Sequence, residues 1–246
     1  VFDDCQALVK SAFMDEELQG HMNLTSANSI NVARFLPQAF YYFNAYAQAK
    51  KLGKADNLTI CVPSGNFGNI TAGLFAQRMG LPIKHFIAAN NANDIFYNYL
   101  LSGIYSPKAS IQTIANAMDV GDPSNFARIL DLYKSSHAEI CNHISGATYS
   151  DDEIAATMKK CYEQTSYVLD PHGACGYQAL KDNLKEGETG VFLETAHPAK
   201  FKEKVDAILS TDIEIPTRLA DFMKGKKQSL EMTADFSAFK QFLLNE

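Results

Sequence analysis

The chain has 246 residues, a formal net charge of −6 from 22 Lys+Arg against 28 Asp+Glu, and 46% hydrophobic residues, enough to build one large core or two ordinary ones. A mildly acidic chain without a long basic block lacks the footprint that holds phosphate backbones, so nucleic acid is excluded as a first partner. With 20% charged residues, 11% aromatics and no low-complexity tract, intrinsic disorder is excluded as well.

In chain order, residues 3–18 open with acids and repeat apolar residues at helical spacing, which predicts a helix followed by a short extended piece at 22–28. Residues 30–53 predict one long helix, with Pro37 near its first turn and Gly53 as its stop. The uncharged run 35–49 inside it carries Pro37, Gln38, Asn44 and Gln48 and is shorter than the roughly 20 apolar residues of a membrane span, so no membrane partner is expected. Next come a strand at 58–62, a Pro-Ser-Gly turn, a helix through 70–80 and a strand at 84–90, a parallel βαβ unit. Residues 91–149 yield only short helical pieces, at 93–101 and 125–134, between Gly, Pro, Ser and Asp punctuation. From Ser150 the pattern predicts a capped helix to 165, a strand at 166–170, a helix at 172–184, a buried strand at 190–196 and a helix at 197–209. The fold class expected is α/β.

Three segments could carry chemistry. Pro63-Ser64-Gly65-Asn66-Phe67-Gly68-Asn69 sits between a strand and a helix, where two glycines let backbone N–H groups converge on an anion at the positive end of the helix. It lacks the lysine and hydroxyl of a Walker loop, and the following strand ends Ala88-Ala89-Asn90, without the carboxylate of a dinucleotide site. That leaves a monophosphate on a small cofactor or substrate, or simply a turn. Thr195 and His197 follow a strand at the end of the sheet where ligands sit, although His197 before Pro198 could equally cap the next helix. Thr25 to Arg34 gathers small polar donors and an arginine suited to an anion, against ordinary capping by Asn28 or Ser29.

Other chemistries lack support. There is no C-x-x-C, no H-E-x-x-H and no G-x-S-x-G, so neither a zinc site nor a serine hydrolase is expected. Asp170-Pro171-His172 could orient an imidazole or form a strand-to-helix turn, and Phe40, Tyr42, Phe43 and Tyr46 would be core or a subunit contact. Lys224 to Lys227 reads as a solvated loop. The five scattered cysteines suit a reducing cytoplasm.

Together, TSANSIN-x-AR (25–34), PSGNFGN-x-TAGL (63–74), DPH-x-A-x-GY (170–177) and TAHPAKF (195–201) resemble the threonine synthases, pyridoxal-phosphate enzymes of the tryptophan-synthase-β-like fold. The resemblance implies a three-layer parallel-sheet fold, and conversion of O-phospho-L-homoserine and water to L-threonine and phosphate. It implies that Gly65, Asn66, Phe67, Gly68 and Asn69 hold the phosphate of pyridoxal 5'-phosphate, and that Thr195 offers its hydroxyl to the pyridine nitrogen. Ser29, Asn31 and Arg34 would lie toward the substrate phosphate.

The family's Schiff-base lysine lies in a Phe-Lys-Asp type motif that is absent from these residues, as is the small-residue loop before it, and Lys200 belongs to a different motif. No catalytic residue is therefore assigned, and the chain alone is expected to be inactive. With Val1 in place of an initiator Met, the expectation is a carboxyl-terminal portion of such an enzyme, its fold incomplete at the amino terminus. Residues 1–27 would end the smaller, substrate domain, and 28–246 would form the main part of the large cofactor domain. A sheet with exposed edges would be compatible with a homodimer. Two alternatives stay open: another lyase of this fold, such as a dehydratase or a cysteine synthase, or a non-catalytic module binding a phosphate ligand.

Overall fold

The computed structural model describes residues 2–226 and 228–245. Lys227, in the basic loop expected at 224–227, lies outside them. The elements in chain order are α1 (Phe2–Met14), α2 (Glu16–His21), α3 (Val32–Phe35), a 3-10 turn (Leu36–Gln38), α4 (Ala39–Lys51), β1 (Leu58–Pro63), α5 (Gly68–Arg78), β2 (His85–Asn90) and α6 (Ile95–Ser102). They continue with a 3-10 turn (Asn116–Met118), α7 (Phe126–Leu132), α8 (His137–His143), β3 (Ile144–Thr148), α9 (Asp151–Thr165), α10 (Pro171–Asn183), β4 (Thr189–Phe192), a 3-10 turn (Pro198–Phe201), α11 (Lys202–Leu209), α12 (Thr217–Met223) and α13 (Phe236–Leu244). No helix among the described residues is long and apolar enough to cross a membrane.

The four strands form one sheet in the order β3-β2-β1-β4, and every pairing is parallel. Side chains alternate between its two faces, as the period of two requires. Ile60, Val62, Phe86, Ala88 and Ile144 join one core, with Tyr42, Ile70, Leu74 and Phe96 from the helices on that side. Cys61, Ile87, Ala89 and Ala147 join the other, with Met158, Ala174, Cys175 and Ala179. The result is three layers, α/β/α, as expected from the sequence.

Several expected elements take a different form. The single helix at 3–18 is two, because Asp15 leaves the helix and caps α2 by accepting the Leu18 N–H at 3.0 Å. The long helix at 30–53 is broken into α3, a 3-10 turn and α4, since Pro37 has no N–H to give and its ring crowds the preceding turn. Gly53, at φ 67, does end it. The strand expected at 166–170 is a connection: Ser166 closes α9 at φ 59 and Asp170 caps α10, so the segment is occupied by two helix ends. β3 was hidden by Ser145 and Gly146, which dilute its apolar pattern. β4 is short and half-buried, not fully buried, because it has one strand neighbour and lies at the edge of the sheet. The helix expected at 197–209 begins as a 3-10 turn before α11.

Candidate functional site

β2 and β3 lie to one side of β1 and β4 to the other, so the chain changes direction across the sheet between β1 and β4. In an open parallel sheet, the crevice beyond the carboxyl ends of such a pair of strands accepts ligands. The two loops that emerge there are 64–67 after β1 and 193–197 after β4. They contain two of the segments singled out in the sequence.

The first loop is held from beneath. The Ser64 N–H donates to Ala89 O at 2.8 Å, and Asn90 Nδ2 donates to Ser64 O at 2.8 Å. Phe67 sits in the left-handed region, φ 61, while its ring is buried 4.5 Å from that of Phe96, so the side chain anchors the turn in the core. A Cβ at Gly65 would stand 2.6 Å from Met118 Cα, and one at Gly68 would stand 2.9 Å from Ser29 Cβ, so both positions need glycine for close approach. Asn69 accepts from Tyr42 Oη through both its side-chain oxygen (2.7 Å) and its carbonyl (2.9 Å). Among the described residues, none of the amides of residues 65–70 donates to another protein group. A row of undonated N–H groups at the start of a three-turn helix is a place for an anion.

Ser29 is the one residue of the 25–34 segment bonded to this loop. Its Oγ accepts from Asn66 Nδ2 (2.6 Å) and from Asn125 Nδ2 (3.1 Å). Asn66 Oδ1 in turn accepts the Ser124 N–H at 2.7 Å, and Asn125 Nδ2 also donates to Asn66 O at 2.8 Å. Arg128 fastens the segment, donating to the carbonyls of Ser29 and Ile30 with its guanidinium 4.6 Å above the Phe35 ring. Burial lowers its pKa from the ordinary arginine value. Asn31 and Arg34 bond within their own segment. Asn31 caps α3 by accepting the Ala33 N–H at 2.9 Å, and the exposed Arg34 donates its Nε–H to Ala27 O at 3.1 Å.

On the second loop Thr195 is exposed, and its hydroxyl has no bonded partner among the described residues. Glu194 before it accepts from Tyr167 Oη (2.5 Å) and from the Asp170 N–H (3.1 Å). Burial raises the Glu194 pKa, with the Tyr167 bond opposing that shift. His197 caps the following turn, its Nδ1 accepting the Ala199 N–H at 3.1 Å, and Lys200 is exposed. Nearby, the fully buried Asn90 keeps its Oδ1 without a partner, an acceptor left over beside the first loop.

Sequence reasoning missed Ser124, Asn125 and Arg128, which join the 25–34 segment to the loop. Asp122-Pro123-Ser124-Asn125 before an apolar run is a turn signature, but nothing in its spacing tells which distant loop the amide of Asn125 will meet.

Comparison with known proteins shows the family. The model of the family described as pyridoxal-phosphate dependent enzyme matches residues 1–195, and the chain belongs to that family. A second model, of the threonine synthase C-terminal region, matches residues 173–243. The chain is 49% identical over 243 residues to the threonine synthase of Haemophilus influenzae, covering 99% of this chain and 56% of that protein. The crystal structure of threonine synthase from Escherichia coli superposes with a TM-score of 0.92 at 45% identity, over 99% of this chain and 56% of that one. The pyridoxal-phosphate-bound threonine synthase of Brucella melitensis gives 0.85 at 35% identity, over 99% and 57%. The chain thus spans a little over half the length of the relatives it matches.

Proposed function

We propose that this chain carries the cofactor-phosphate cradle of a threonine synthase, an enzyme that turns O-phospho-L-homoserine and water into L-threonine and phosphate. The observation that carries it is the row of undonated amides at residues 65–70, at the switch point between β1 and β4 and on the same sheet end as the free hydroxyl of Thr195. The phosphate of pyridoxal 5'-phosphate fits that donor set, which offers directed N–H groups and a helix terminus without a competing carboxylate. When bound, the cofactor supplies an electron sink for charge developing on an amino-acid substrate.

The residues of the chain act by binding and orienting. Gly65, Asn66, Phe67, Gly68 and Asn69 offer their backbone N–H groups, and Thr195 offers a hydroxyl to the ring nitrogen. A hydroxyl does not hold that nitrogen protonated as a carboxylate would, so it favours a weaker electron sink. Ser29, bonded to Asn66 and Asn125, joins the 25–34 segment to the cradle and is assigned to the substrate-phosphate side. Asn31 and Arg34 complete the substrate-phosphate side of the reading: Asn31 orders the 25–34 segment by capping α3, and the exposed Arg34 uses only its Nε–H, on Ala27 O, among the described residues, so its terminal guanidinium nitrogens remain available to an anion. The same proposal includes residues 1–27 as the end of a smaller domain, a cytoplasmic location and a homodimer, the last checked by light scattering.

Amide NMR of the full chain titrated with pyridoxal 5'-phosphate, and separately with inorganic phosphate, tests the cradle. The largest shifts are expected at residues 65–70 with both ligands, and at Thr195 with the cofactor only. Binding that leaves the amides of 65–70 unmoved would remove the proposal. Because no Phe-Lys-Asp type motif is present, the chain by itself is expected to bind without releasing phosphate from O-phospho-L-homoserine. Phosphate release by the chain alone would contradict that expectation.

A further inference from the structure

The start of α10 holds a polar cluster to which no role has yet been given. Asp170, fully buried, caps the helix by accepting the N–H groups of His172 (2.9 Å) and Gly173 (3.4 Å). Its Oδ1 also lies 2.6 Å from His172 Nδ1. Across the imidazole, Nε2 accepts the Ala117 N–H at 3.1 Å. A ring nitrogen that accepts an N–H bond carries no proton, so the imidazole is the Nδ1–H tautomer and donates to Asp170. The Phe201 ring, 4.8 Å away, packs against it.

What the ring holds is the backbone of Ala117 and Met118. Met118 Cα and Ala117 O would stand 2.6 Å and 3.0 Å from a Cβ at Gly65, so this segment is the surface on which the first residue of the amide row rests. Helix α10 is also tied to the second loop, because the Asp170 N–H donates to Glu194, the neighbour of Thr195. One helix start is bonded toward both halves of the crevice. Ala117 itself is exposed, so its N–H could turn to water if the ring were removed. Losing the bond would then cost little stability, while freeing the support under Gly65.

We propose that His172 is a positioning residue: with Asp170 fixing its tautomer, it holds the Ala117-Met118 backbone against Gly65 and so sets the spacing of the phosphate-binding amides. The inference rests on the cradle reading above, and its ligand is a phosphate monoester. It differs from simple core packing in what it requires of the side chain, namely an acceptor at the Nε2 position and not merely volume.

The test uses the full chain with His172→Phe, which keeps the ring packing but has no acceptor, and His172→Gln, whose amide oxygen can take the Ala117 N–H. Calorimetry would measure pyridoxal 5'-phosphate and inorganic phosphate binding, and amide NMR would follow Gly65 and Ala117 without ligand. For His172→Phe, roughly tenfold weaker binding of both ligands is expected, with displaced Gly65 and Ala117 amides, and His172→Gln should recover most of the loss. Unchanged binding in His172→Phe would overturn the proposal, as would a His172→Gln variant as weak as the phenylalanine. Nitrogen-15 NMR of the unsubstituted imidazole gives a check that needs no variant to fold: a proton on Nε2 would also overturn it. If the unsubstituted chain bound neither ligand, the cradle reading itself would fall; if it bound and His172→Phe bound equally well, only the role of His172 would.

Discussion

Asn125 is fully buried at the start of α7, and its amide spans three partners: it donates to Ser29 Oγ and Asn66 O, and accepts from Arg128. Removing it would leave a guanidinium and a serine hydroxyl short of a partner in a half-buried setting, and the cost of unmet polar groups exceeds the value of the bonds themselves. Asn125→Ala is expected to lower the unfolding free energy by about 2–3 kcal/mol, read from urea denaturation. An unchanged midpoint would show that water replaces the amide without loss. Asn125 was read only as the start of a short helical piece at 125–134, whereas Ser29 stood out as one of a run of polar donors. The sequence shows which residues can form hydrogen bonds; which of them meet is fixed by the approach of segments about a hundred positions apart.

At the scale of elements, α4 and α5 pack on the same face of the sheet, and their contact depends on a residue with no side chain. A Cβ at Gly73 would fall 2.4 Å from the Tyr42 ring and 2.8 Å from that of Phe86. Tyr42 is fixed by burial and by its bonds to Asn69, so it cannot give way. Gly73→Ala is expected to destabilise the fold by about 1–3 kcal/mol despite the better helix propensity of alanine, measurable by thermal or urea unfolding. Because Tyr42 supports Asn69, the same change should weaken phosphate binding. Strand β2 carries a pH-sensitive pairing: His85 Nε2 lies 3.0 Å from Ser145 Oγ on β3, and burial, aided by Lys185, lowers the His85 pKa from its usual 6.5. The unfolded chain therefore takes up the proton first as pH falls below about 6.5, and stability is lost until the folded-state ring is protonated too. His85→Gln is expected to flatten the slope of unfolding free energy against pH in that window; an unaltered slope would mean that another group titrates there.

For the whole molecule, a ligand that binds only the folded state raises its stability by mass action. With pyridoxal 5'-phosphate at a hundred times its dissociation constant, the gain is about 2.7 kcal/mol, or roughly 5–10 °C in melting temperature for a domain of this size. Gly65→Ala, whose Cβ has no room beside Met118, is expected to lose that shift; a variant that kept it would show that the amide row does not hold the phosphate. The architecture was legible in outline from the sequence. Alternating strands and helices gave α/β, Gly65 and Gly68 marked a tight turn between a strand and a helix, and the capped start of α9 was set by Ser150 with Glu153. These are local properties, fixed by backbone sterics and by neighbours a few residues apart. The tertiary structure alone decided that β4 is an edge strand, that the chain reverses across the sheet between β1 and β4, and that His172 reaches Ala117 under the loop. Each of these depends on contacts between segments remote in sequence, whose geometry is determined only when the sheet and the two helical layers pack together.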